Sequence, residues 1–130
     1  MHHKMNDEMQ DCIKACLDTS DVCNQTITHC LSTGGVHAEA SHIQLLLDCA
    51  EICQTSASFM GRQSIRHADI CRICSDICQK CAESCRVFDD KAMSQCAEAC
   101  LRSAKSCEEM AGTGRQKGKT QEVMSSAHLI

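Results

Sequence analysis

The spacing of the cysteines constrains the fold of this chain more than any other feature of its sequence. Within each of four segments, successive cysteines lie three, four or seven positions apart. Residues at that spacing share one face of an α-helix, whereas residues on one face of a strand recur every two positions. The pattern therefore predicts four helices, each with one face of thiols. These cysteines are Cys12, Cys16, Cys23 and Cys30 in the first helix, Cys49 and Cys53 in the second, Cys71, Cys74, Cys78, Cys81 and Cys85 in the third, and Cys96, Cys100 and Cys107 in the fourth.

Few residues would interrupt these helices, because the chain has no Pro and only 6 Gly. A turn is predicted at residues 32–35, and the residues expected to cap or end the other helices are Gly61, Ser64, Asp89, Asp90 and Gly112. Helices are therefore predicted at 5–31, 37–60, 65–87 and 91–111. Short connections favour antiparallel neighbours, so the predicted fold class is all-α, an up-down-up-down four-helix bundle with a Cys-lined core. The bundle is assigned to residues 1–111, and residues 112–130 to a tail that is flexible or a short helix.

Other residues continue the thiol-bearing faces and define the two ends of the predicted bundle. One end should gather Cys30, His42, Cys85, Met93 and Cys96, with His29 and His37 nearby. The opposite end should gather Met5, Met9, Met60, His67 and Met110, while Ile27 and Phe88 also fall on the inner faces.

A cysteine count of 14 in 130 residues would ordinarily indicate a disulfide scaffold in a secreted protein. However, the N-terminal residues lack the apolar segment of a signal peptide, and no stretch has the ~18 consecutive apolar residues of a membrane span. Two cysteines one helical turn apart also rarely reach the Cβ separation of about 3.8 Å that a disulfide requires. We therefore expect free thiols and a cytoplasmic protein that contacts no membrane.

The sequence offers little support for nucleic-acid binding or for catalysis. The net charge is −4, which provides no basic surface for nucleic acid. Phosphate-binding and dinucleotide-binding motifs are absent, and no single cysteine stands out as a nucleophile. Glu39 and His42 have the spacing of ferritin-type iron ligands, but no second copy of that motif exists. We therefore predict a protein that is not an enzyme.

Thiols repeated along a helix are well placed to bind soft metal ions. Two thiolates one turn apart, such as Cys49 with Cys53 or Cys96 with Cys100, can share one ion at metal–sulfur distances of ~2.3 Å. Sulfur ligands select soft ions, and copper(I) accepts two or three of them. The sequence thus predicts several copper(I) ions per chain. Two alternatives stay open: sequestration of another soft or borderline ion such as zinc, which prefers four tetrahedral ligands, and a thiol-rich bundle that responds to oxidation without storing metal.

Four segments make the chain resemble the bacterial copper storage proteins, in particular their cytosolic branch. These segments are residues 12–18, 47–53, 70–81 and 96–100, which occur in the same order. The resemblance implies a four-helix bundle that stores or detoxifies copper(I) along its axis and assembles as a homotetramer.

The sequence also departs from the family pattern. The family tends to place further inward cysteines where this chain has Thr19, Thr26, His42, Met93 and Ser103. It also tends to have a His-rich connection between helices three and four, where this chain has none. The resemblance places metal loading at the end that holds Cys30. We therefore predict that His42 and Met93 are additional, weaker metal ligands at that end.

Overall fold

The computed structural model describes the backbone of residues 6–128 and the side chains of residues 6–112. The helices are α1 (Asp7–Thr33), α2 (Ala40–Gly61), α3 (His67–Arg86) and α4 (Lys91–His128), and a short 3-10 helix (Gly35–Ala38) joins α1 to α2. Each helix packs against its sequence neighbour, and α4 returns to pack against α1. This closed arrangement confirms the predicted all-α four-helix bundle. Within the described residues, none of the helices is both long enough and apolar enough to cross a membrane.

Two of the helix starts have side-chain caps that their sequences explain. Asn6 caps α1, because its Oδ1 accepts a hydrogen bond of 2.7 Å from the backbone N–H of Met9. Asp90 caps α4 in the same way, with a bond of 2.9 Å from the Met93 N–H to its Oδ1. Of the two predicted aspartate caps, Asp90 is therefore confirmed, and Asp89 does not serve this role.

The junction between α2 and α3 corrects two predictions. Gly61 is the last residue of α2, and the left-handed residue that follows is Gln63, with φ 53°. Hydrogen bonds from the Gln63 N–H to the Met60 carbonyl and from the Ser64 N–H to the Phe59 carbonyl make this a Schellman motif. Since that motif places its left-handed residue two positions beyond Gly61, α3 starts later than predicted.

The predicted N-cap of α3, Ser64, is accordingly wrong. Arg66 occupies the cap position, and its side chain makes no capping hydrogen bond. The Ser64 hydroxyl instead accepts a 3.0 Å hydrogen bond from the Arg66 N–H within the turn between the helices.

Gly112 does not end α4, as the sequence had suggested. The helix continues to His128. A single glycine inside a helix costs only ~1 kcal/mol relative to alanine, so it does not by itself break a helix that contains no proline. Assignment of residues 112–130 to a separate tail remains a prediction.

The inner faces are as predicted, apart from their outermost members. Met60, Met93, Met110 and His42 are buried, and the partly buried residues against them include Met9, Ile27 and Phe88. His67 is half-buried, and Met5 lies outside the described residues. Leucine at position 46 is the one large aliphatic side chain among the fully buried residues of the described part. Cysteine therefore fills most of the volume that leucine fills in an ordinary bundle.

Candidate metal centre

All four helices contribute sulfur atoms to the bundle axis, where they form an array that we call the thiol column. All fourteen predicted cysteines are free, and none has exposed surface. The helical period places each of them on the inner face, so the predicted location of these side chains is confirmed. Whether each one ligates a metal remains a prediction.

Four groups of thiols within the column have all their sulfur atoms within 4.8 Å of one another. The groups are Cys12, Cys16 and Cys107; Cys16, Cys53 and Cys74; Cys49, Cys53 and Cys78; and Cys23, Cys49, Cys81 and Cys100. Consecutive groups share one sulfur, which belongs to Cys16, Cys53 and Cys49 in turn. The groups therefore form a continuous path along the axis rather than separate sites.

The distances between sulfur atoms suit metal bridges. Cys53 Sγ lies 3.5 Å from Cys78 Sγ and 3.8 Å from Cys74 Sγ. Cys49 Sγ lies 3.6 Å from Cys78 Sγ and 3.8 Å from Cys100 Sγ. Two sulfurs bound to the same ion at ~2.3 Å can be at most ~4.6 Å apart. One ion can therefore join neighbouring sulfurs in the column without a change of the backbone.

Hydrogen bonds between sulfurs distribute the protons of the column unevenly. Hydrogen bonds with Cys107 and Cys12 lower the pKa of Cys16 and the pKa of Cys71 below the usual value for a thiol. Hydrogen bonds with Cys12 and Cys16 raise the pKa of Cys107 well above its usual range, so this thiol keeps its proton. Because only the thiolate binds metal, ions that enter the column must displace such protons.

Cys30 lies at one end of the column, in contact with two different kinds of ligand. Its Sγ lies 3.5 Å from His42 Nε2 and 3.6 Å from Met93 Sδ. Three of the five residues predicted to gather at this end, Cys30, His42 and Met93, therefore lie together. Burial raises the pKa of Cys30 to about 11 and lowers the pKa of His42, so at neutral pH the thiol is protonated and the imidazole is neutral.

The residue that orients His42 could not be predicted from the sequence. Ser84 Oγ lies 2.7 Å from His42 Nδ1. When the imidazole donates its Nδ1 proton to this hydroxyl, the lone pair of Nε2 points toward Cys30 and is available to a metal. Ser84 belongs to α3 and His42 to α2, so a contact between helices creates this arrangement, which no local motif encodes.

Thr19, Thr26 and Ser103 stand where the family tends to have cysteine, but their hydroxyl groups form hydrogen bonds to backbone carbonyls rather than to the thiol column. Thr19 Oγ1 donates to the Ala99 carbonyl at 2.9 Å, and Ser103 Oγ donates to the Ala15 carbonyl at 3.0 Å. Thr26 Oγ1 donates a hydrogen bond of 2.7 Å to the Val22 carbonyl in its own helix. These groups donate to backbone carbonyls, whereas the side chains of His42 and Met93 lie at hydrogen-bonding distance of Cys30 Sγ.

The Asp90 carboxylate is half-buried and contacts two histidines. Its side chain is 35% exposed, and Oδ2 lies 3.2 Å from His29 Nε2 and 3.0 Å from His37 Nε2. Both histidines come from the region of the α1–α2 connection, so the end of the bundle near Cys30 does carry histidines, although the α3–α4 connection has none.

Fold and site together define a helical bundle whose buried thiol groups are able to bind metal. Comparison with known proteins assigns the family. Residues 5–112 match the copper storage protein family, and the chain belongs to that family. The resemblance drawn from the cysteine segments is thereby confirmed.

Two solved structures and one further relative are similar to the chain over most of its length. The Nmul_A1745 protein of Nitrosospira multiformis has a TM-score of 0.78 and 40% identity, covering 82% of this chain and 96% of that one. The Cu(I)-bound copper storage protein BsCsp3 has a TM-score of 0.76 and 35% identity, covering 80% and 98%. The cysteine-rich protein YhjQ of Bacillus subtilis is 35% identical over 107 residues, which are 82% of this chain and 99% of that protein.

Proposed function

We propose that this protein stores several copper(I) ions on bridging thiolates of the thiol column, and so protects the cell from free copper. The observation that carries the proposal is the overlap of the four thiol groups through Cys16, Cys53 and Cys49. A shared sulfur can bind two ions at once, and a continuous array of shared sulfurs can bind many. The function is binding and storage, without an enzymatic step.

The number of sulfurs in each group favours copper(I) over zinc. Three of the four thiol groups have three members, and one has four. Zinc in structural sites takes four tetrahedral ligands, whereas two or three sulfurs suffice for copper(I). Cys23, Cys49, Cys81 and Cys100 form the group that could hold zinc, so zinc would occupy the column sparsely.

We assign ligand roles to the fourteen cysteines of the column and to His42 and Met93. If each ion takes two thiolates and each thiolate bridges two ions, the capacity is about 14 ions per chain, and it is about 7 if no thiolate is shared. His42 and Met93 are neutral ligands beside Cys30 at the bundle end. They bind copper(I) without adding negative charge, so they would hold the ion more weakly and pass it to the thiolates.

The setting of this function is also part of the proposal. Free thiols persist in a reducing compartment, so the fourteen free cysteines support a cytoplasmic location. Exposed apolar side chains on the bundle surface, among them Leu17, Leu31, Leu47 and Ile73, support self-association, for which the family resemblance implies a homotetramer.

The test is an anaerobic titration of the reduced protein with copper(I) in the presence of a coloured copper(I) chelator, followed by the same titration with zinc. We expect many equivalents of copper(I) to be withheld from the chelator, and few equivalents of zinc to bind. A protein that withholds only one or two copper ions would contain a discrete site, which would contradict storage. Equal capacity for zinc would favour the alternative of a general metal-sequestering bundle.

A further inference from the structure

A second cluster of metal-ligating side chains lies outside the thiol column, at the bundle end that holds Cys30. It consists of His29 near the end of α1, His37 in the 3-10 helix and Asp90 before α4, and their ligand atoms lie within 4.8 Å of one another. We propose that these three residues form a separate site for one borderline divalent cation, with Zn²⁺ as the reference ion.

The spacing of the ligand atoms suits such an ion. Asp90 Oδ2 lies 3.2 Å from His29 Nε2 and 3.0 Å from His37 Nε2. Ligand atoms at bond lengths of 2.0–2.1 Å around a tetrahedral zinc ion are roughly 3.3 Å apart. Small side-chain rotations therefore suffice to bring the three atoms around one ion.

The carboxylate is held in position by the start of α4. Asp90 Oδ1 accepts the Met93 N–H at 2.9 Å, which leaves Oδ2 directed at the two imidazoles. Hydrogen bonds of this kind orient metal-ligating carboxylates, and their loss typically weakens metal sites by 10–100-fold. The site is thus organised before any ion binds.

The cluster is accessible from solvent, unlike the thiol column. The side chains of His29, His37 and Asp90 are 36%, 20% and 35% exposed. Three protein ligands with one side open leave the fourth coordination position to water, which is the arrangement of zinc sites that exchange a ligand. An ion at this cluster can therefore bind and leave without passing through the bundle core.

Chemistry and packing keep the two sites apart. Imidazole and carboxylate ligands suit borderline and hard ions, whereas the column offers sulfur. The Phe88 ring packs against both His37 and His42, with centroid distances of 4.2 and 4.9 Å. An apolar ring thus contacts both the divalent-ion cluster and the Cys30–His42 pair, and limits exchange of ligands between them.

The experiment follows the imidazole nitrogens by NMR while Zn²⁺ is added. Every protein carries His2→Ala and His3→Ala, so that these two residues cannot take zinc. The titration is performed on copper-free protein and again after copper(I) loading, with the copper content measured first. Shifts of the His29 and His37 rings report this cluster even where zinc also binds thiols, so failure of copper storage and failure of this site are distinguishable.

We expect one equivalent of zinc to shift the His29 and His37 signals in the copper-loaded form, and further zinc to shift them in the copper-free form once the four-thiol group is filled. His37→Ala and Asp90→Asn should weaken this binding at least ~100-fold, because a ligand is lost rather than an outer hydrogen bond. The asparagine can still accept the Met93 N–H, so the helix cap is retained. His67→Ala, at the opposite end of the bundle, is the control and should bind zinc as the parent does. Unshifted His29 and His37 signals, or binding that survives Asp90→Asn, would overturn the proposal.

Discussion

Replacement of Cys53 by serine tests whether thiolates are shared between copper ions. Cys53 belongs to two thiol groups, and its sulfur lies 3.5 Å from Cys78 Sγ and 3.8 Å from Cys74 Sγ. Cys71 is equally buried, but it belongs to none of the four groups. Cys53→Ser and Cys71→Ser are therefore a matched pair that makes the same chemical change at a position in two thiol groups and at a position outside all four.

The expected loss of capacity follows from the number of groups that each thiol completes. Cys53→Ser leaves two groups with two sulfurs each, the smallest number that copper(I) accepts, so about two copper ions should be bound more weakly and be lost to a competing chelator. Cys71→Ser leaves all four groups intact, so it should cost at most about one ion. A buried hydroxyl in place of a thiol costs ~1–3 kcal/mol when it lacks a partner, and circular dichroism would verify that both variants stay folded.

The assay is an anaerobic copper(I) titration in competition with a coloured chelator, with copper per chain read at saturation. We expect Cys53→Ser to lose more copper per chain than Cys71→Ser. Equal deficits would refute the reasoning, because they would mean that each thiol binds its own ion and that the overlap of groups has no consequence for storage.

Three further predictions concern the column end, the metal-free protein and its pH dependence. The double substitution His42→Ala with Met93→Leu should slow copper uptake in stopped-flow measurements and leave the total copper capacity nearly unchanged. Unchanged uptake kinetics would mean that both residues serve only to pack the end of the bundle. The reduced, chelated protein should show full helical circular dichroism and gain thermal stability with copper, since its helices already pack around a buried core; a non-helical signal would be incompatible with a preformed bundle. Burial raises the pKa of Cys30 from 9.0 to about 11, so its contribution to stability is complete below pH 9 and is lost as the pH rises toward 11. Urea unfolding of the metal-free protein between pH 9 and 11 should show a free energy of unfolding that falls with pH, and falls less in Cys30→Ala. An equal fall in both proteins would assign the effect to other groups.

The location of every cysteine could be predicted because helical periodicity is a local property of the sequence. Gaps of three, four and seven residues allow only one face of a helix, and burial of that face follows from packing four such helices together. The turn at Gly34 and the cap at Asp90 were also predictable, since glycine in a left-handed conformation and aspartate before a helix act through bonds to near neighbours.

Features that depend on distant residues or on competition between weak local signals could not be predicted. The sequence indicated Gly61 as the C′ residue that follows α2, yet Gly61 is the last residue of that helix and the left-handed conformation lies at Gln63. Gly112 is a weak break and did not end α4. Asp90 meets His29 and His37 across 61 and 53 positions of sequence, and only the assembled bundle brings them together.

The protons of the thiol column have a consequence for how a helical bundle can hold many cations in a dry interior. An isolated charge in a medium of low dielectric constant is very costly, and a row of them would disrupt the fold. Each copper(I) ion carries the same charge as the proton that a thiol gives up, so at one ion per thiolate the exchange leaves the core electrically neutral. Filling the column is then an ion exchange, in which the 14 cysteines return about one proton to the surrounding water for each ion taken up. Copper uptake therefore acidifies an unbuffered solution, and acid by mass action drives the stored ions out.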